Sequence, residues 1–162
     1  MQGSQNAIDK EMLREIGNMV KHLTIDSDNE TERFILKLHI LLEGILEKII
    51  RKTFPYPKAT LECELTFSQK LAIVKSICYQ DEIALVFKHI KIINQIRNEL
   101  AHNLESRKYE QLIHTLDNTY TINNGFQLDE QSLELFKKRA YMLYGTLLGI
   151  EKQLVVNVKV KL

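Results

Sequence analysis

Residues 30–52 read ETERFILKLHILLEGILEKIIRK. Within them Phe34, Ile35, Leu38, Leu41, Leu42, Ile45, Leu46 and Ile49 recur at spacings of three and four. That period predicts a helix, and the width of the apolar face predicts a central one, covered by neighbours on several sides. Phe54-Pro55-Tyr56-Pro57 ends it. A proline lacks the N–H the helix needs and restricts the residue before it.

Working outward, the same period recurs on both sides. A loop is expected to about Leu65. Thr66 or Ser68 then caps a helix through Ile77, carrying Leu71, Ile73 and Val74. Asp81 opens another, with Ile83, Phe87, Ile90, Ile93 and Ile96, ending near His102 or Asn103. A further helix is expected from about Glu105 to Leu116. Asn123-Asn124-Gly125 is a turn signal, and a last helix starts at Asp129 with Phe136, Ala140, Leu143 and Leu147 on one face. Upstream, Ile8, Met12, Ile16 and Met19 predict a helix over Ala7–His22, joined to the central one by polar residues Thr24–Asn29. In the tail, Val156, Val158 and Val160 alternate with Asn157, Lys159 and Lys161, a period of two that suits an extended segment. The expectation is an all-α bundle of about six helices with a short extended C-terminal tail. It would form one domain over 1–162, with a core region near 30–118 and a C-terminal helix and tail at 129–162.

Composition limits the functional classes. Lys and Arg total 22 against 21 Asp and Glu, a formal charge of +1. Bulk charge cannot hold nucleic acid here, so any such contact must be local. Cys63 and Cys78 lie apart from any Cys/His ligand pattern, and His22, His39, His89 and His114 form no HxxxH or HxxE pair. No glycine-rich phosphate loop and no G-x-S-x-G elbow occurs. No metal and no cofactor is therefore expected. Without a basic-then-apolar start or an apolar run of about twenty residues, a cytoplasmic chain with no membrane partner is expected. Lys137-Lys138-Arg139 and Lys48/Arg51/Lys52 are small basic clusters that solvated helix faces explain about as well as RNA guidance does, with the solvated face preferred.

One segment stands out chemically: Ile96-Arg97-Asn98-Glu99-Leu100-Ala101-His102-Asn103. On a wheel of about 100° per residue, Ile90, Ile93, Ile96, Leu100 and Ala101 share an apolar arc, with Arg97 inside it. Lys91, Asn94, Gln95, Asn98 and Glu99 fall opposite. A guanidinium stays charged, so Arg97 needs acceptors, a stem laid over apolar surface, or a bound anion such as phosphate. His102 lies about 140° further round, so it meets Arg97 only if the helix ends or bends near Ala101, or if a second subunit supplies the partner.

That string, with Leu65–Lys75 (LTFSQKLAIVK) upstream, resembles the signature of HEPN domains: an arginine, a polar residue, then a histidine after four to six intervening positions. The likeness covers roughly Glu30–Asn118 and is nearest to the mannitol-repressor-type branch. Leu104 stands where one toxin branch has a tyrosine. The resemblance implies an all-α homodimer with the motif helices near the two-fold axis. It also implies a metal-independent endoribonuclease acting on RNA, as a toxin or antiphage component with a possible antitoxin partner. The alternative it implies is a non-catalytic regulator working through protein contacts. It assigns Arg97, Asn98 and His102 to the site, with Glu43 as a supporting carboxylate.

Overall fold

The computed structural model describes residues 10–18, 30–78, 81–102, 108–109, 111–113, 115–116 and 132–159, and all regular structure among them is helical. We label the elements α1 (residues 10–18), α2 (Glu30–Thr53), α3 (Pro57–Leu61), α4 (Phe67–Cys78), a 3₁₀ turn (Asp81–Ile83), α5 (Ala84–His102), α6 (helical residues within 108–116) and α7 (Ser132–Lys159). The fold is an all-α bundle, as the periodicity predicts.

Helix α2 is its axis. It packs against α7, α4, α5 and α3. Phe34, Ile35, Leu38, Leu42, Ile45, Leu46, Ile49 and Ile50 are all sealed from solvent. They join Phe87, Ile90, Ile93 and Ile96 of α5, Phe136, Ala140, Leu147 and Leu148 of α7, and Leu116 of α6 in one core. The ring of Phe34 meets those of Phe136 and Tyr141 edge-on, with centroids 5.6 and 6.2 Å apart. Such pairs add about 0.5–1.5 kcal/mol to the burial itself.

Three expectations are corrected. The loop after α2 contains the short helix α3. Pro57 sits in its first turn, where its fixed φ and missing N–H suit a helix start. The C-terminal tail is not extended as far as it is described, because α7 continues through Lys159. Elongating an existing helix costs far less than starting one, and valine lowers propensity only slightly, so the period of two does not decide. Residues 160–162, the Asn123-Asn124-Gly125 turn, the Asp129 start and the Thr24–Asn29 connection lie outside the described residues.

The third correction concerns α4 and α5. Thr66 is the cap of α4. The Gln69 N–H donates to Thr66 Oγ1 at 3.3 Å while the Thr66 N–H donates to Gln69 Oε1 at 2.8 Å, a reciprocal capping box. Just before it, Glu64 takes a positive φ of 49° to turn the chain out of α3. Ser68, near the start of α4, meets Asn94 in the second half of α5. Lys75, near the end of α4, shares a groove with Ala84 at the start of α5. The two helices are therefore antiparallel, and α4 begins at the level of Asn94. This explains why Asn94, expected on the polar side of α5, is buried, whereas Ala101, expected in the apolar arc, is exposed beyond the reach of α4.

Candidate functional site

Helix α5 carries the motif on its last two turns. Arg97 lies one turn past Asn94, where cover by α4 runs out, and it is half-buried. Its Nη1 donates to Asn98 Oδ1 at 3.2 Å. Asn98 and His102 are exposed. The helix is unbroken from Ala84 to His102. Arg97 and His102 therefore stay about 140° apart and about 7.5 Å apart along the axis. Within one chain, along this helix, they do not converge.

Glu43 lies on α2, and its carboxylate is taken by Lys70 of α4, whose Nζ donates at 2.7 Å to both Glu43 and Glu47. Lys70 is buried, and burial alone would lower its pKa. The hydrogen bonds to the two carboxylates outweigh that effect and raise it. The charge is thereby locked on.

The sequence reading missed the group at the centre of this wedge. His39 of α2 is only 8% exposed and stacks on Phe67 of α4, with ring centroids 4.3 Å apart. Its Nε2–H donates to Asn94 Oδ1 at 2.9 Å, and Asn94 Nδ2 donates in turn to Ser68 Oγ at 3.3 Å. This chain of bonds satisfies two polar side chains that would otherwise be costly to bury. Burial holds the His39 pKa below the usual imidazole value; the Asn94 bond opposes this, while the positive charges of Arg97 and Lys70 push it lower still. Arg97, Glu43 and Lys70 thus all act on the same imidazole. A signal existed in the sequence. His39 sits in the α2 stripe between Ile35 and Leu42, and Asn94 sits one turn before Arg97 on one face.

Chemically, the end of α5 offers a guanidinium steadied on one nitrogen by Asn98 and, on a different face of the helix, an imidazole open to solvent. The His39–Asn94–Ser68 chain of bonds, buried at His39 and Asn94, ties α5 to α2 and α4. Among the described residues no group of three or more His, Cys, Asp or Glu could hold a metal ion. No helix there is long and apolar enough to cross a membrane. No protein-family model, no curated protein and no solved structure matches the chain.

Proposed function

We propose that the protein is a HEPN-type, metal-independent endoribonuclease that works as a homodimer. What carries this reading is the Arg97-Asn98-x-x-x-His102 string on the outer end of α5. There Arg97 is steadied by Asn98, and His102 is open to a substrate. RNA supplies the nucleophile. The 2′-oxygen bonds to phosphorus, the P–O5′ bond breaks, and the products are a 2′,3′-cyclic phosphate and a 5′-hydroxyl. One imidazole takes the proton from the 2′-hydroxyl, and a protonated one gives a proton to the 5′-oxygen. Arg97 stabilises the charge that grows on the phosphoryl oxygens. A two-fold axis brings two His102 side chains and two Arg97 side chains together, so the divergence within one chain becomes complementarity between two. A role as a toxin or antiphage ribonuclease held in check by an antitoxin belongs to the same proposal.

A second reading draws on that same divergence: a dimeric regulator of the mannitol-repressor type, in which Arg97 and His102 only bind another protein. One experiment separates them. Purified protein is incubated with mixed RNA in EDTA beside His102→Ala and Arg97→Ala. The nuclease reading expects cyclic-phosphate ends from wild type and a loss of about a hundredfold or more in each variant. Equal cleavage by all three, or none by a folded wild-type dimer, favours the regulator.

A further inference from the structure

The antiparallel packing of α4 on α5 leaves a groove of about 430 Å³ between them. Leu71, Ala72 and Phe87 give it an apolar floor, and Lys75, Lys88 and Lys91 stand around it. Among the described residues no carboxylate lines it. In a chain whose total charge is +1, three lysines around one recess are a local concentration of positive potential. Lys88 and Lys91 are exposed, and no carboxylate among the described residues pairs with either.

Beyond the groove, an exposed polar row continues along α5 from Lys91. Lys88, Lys91, Gln95, Asn98 and His102 follow one another at intervals of three, four, three and four, and all five are exposed. On an unbroken helix they fall within an arc of about 80° and span about 21 Å. Every one carries a polar group that can donate a hydrogen bond; the one acidic side chain at the edge of the row is the half-buried Glu99, about 20° outside the arc. We propose that the α4–α5 groove is a subsite for single-stranded RNA, holding phosphates of the strand whose scissile bond lies at His102. This rests on the nuclease reading above. The two lysines take phosphate oxygens, the apolar floor takes the face of an unstacked base, and Gln95 and Asn98 bridge the remaining distance. An acidic amphipathic peptide would suit the groove itself. It would also need an apolar seam beyond Lys91, where the row is wholly polar, so the strand is the better occupant.

The test uses a fluorescent oligoribonucleotide of about sixteen residues with every 2′-hydroxyl methylated, which cannot be cleaved by 2′-hydroxyl attack. Its binding is followed by anisotropy across a salt series for wild type and for Lys88→Gln/Lys91→Gln. Lys48→Gln/Arg51→Gln, on exposed positions of α2, serves as the control. The expected result is about tenfold weaker binding by the groove variant, with the log–log salt slope smaller by about 1.4, and wild-type behaviour from the control. Absence of wild-type binding, or equal losses in both variants, would overturn the proposal. So would wild-type capture of a labelled polyglutamate peptide, lost in the groove variant, in place of RNA. The chemistry is scored separately on natural RNA. Cleavage with unaltered binding by the groove variant removes the subsite alone, whereas groove-dependent binding with no cleavage removes the nuclease alone.

Discussion

Toward α7 the central helix presents an apolar seam, led by Phe34 against Phe136 and Tyr141. Toward α4 and α5 it presents His39, Glu43 and Glu47, four residues apart, which meet Asn94, Phe67 and Lys70. The first interface gains from removing surface from water and has little directional demand. The second gains little net energy, because each polar group gives up water for its partner, but every group left without a partner is costly. The same helix therefore has one side that supplies stability and another that fixes register. Arg97 emerges from the second, one turn beyond Asn94.

The largest effect is expected at the apolar seam. Phe34→Ala should cost about 3–5 kcal/mol in urea unfolding, by lost transfer energy and a cavity that the fully packed α2–α7 contact cannot close. A loss under about 1 kcal/mol would mean the seam is not the source of stability.

The next effect is set by pH. His89 of α5 is buried, and burial, then Arg139 and Lys88, hold its pKa down at about 4. His39 shifts the same way. An imidazole whose folded pKa is depressed binds fewer protons folded than unfolded. Its stabilising contribution is complete above the usual value of about 6.5 and is lost as pH falls toward about 4. Between pH 7 and pH 5 the protein should lose about 2 kcal/mol through His89. His89→Gln should flatten that part of the curve in urea titrations at each pH. An unchanged slope would assign the acid sensitivity elsewhere.

How legible each side was follows from the same physics. The apolar side was readable because burial selects residue types at a fixed period, and Phe34, Leu38, Leu42, Phe136 and Leu147 stand where the period puts them. The capping residue was readable to within two positions. His39 and Asn94 were not found, because a pairwise hydrogen bond between residues 55 apart leaves no period in either helix. On the wheel Asn94 lies only about 20° from Ala101, at the edge of the apolar arc, and the level at which α4 begins, which decides what that edge buries, cannot be counted along α5. The valine-rich tail misled for a related reason: its alternation is local, whereas helix continuation depends on the preceding turns. Arg97, Asn98 and His102 were found as a string, but their divergence in space needed the unbroken helix.

A smaller effect sharpens the contrast at the polar side. Asn94→Leu should cost about 1–3 kcal/mol, because it strands the buried His39 Nε2–H. His39→Phe/Asn94→Leu should recover most of that loss, since both polar partners are gone and the Phe67 stack is kept. On the nuclease function proposed above, the double variant should fold yet show altered RNA cleavage if this bond sets the register of α5 under Arg97. Full stability with unchanged cleavage would reduce the bond to a local accommodation.

The smallest expected change is the most informative about cooperativity. Thr66→Ala removes the oxygen that receives the Gln69 N–H and should cost about 1 kcal/mol. Its neighbours in sequence, Phe67 and Ser68, are the α4 partners of His39 and Asn94. If the polar interface acts as one unit, Thr66→Ala and Asn94→Leu should be non-additive by about 0.5 kcal/mol or more, because fraying the first turn of α4 already loosens what Asn94 holds. Thr66→Ala and Phe34→Ala, on different interfaces, should add. Additivity in both pairs would show that the register of α5 is set by the core alone, and that Arg97 keeps its place whether or not α4 begins at Thr66.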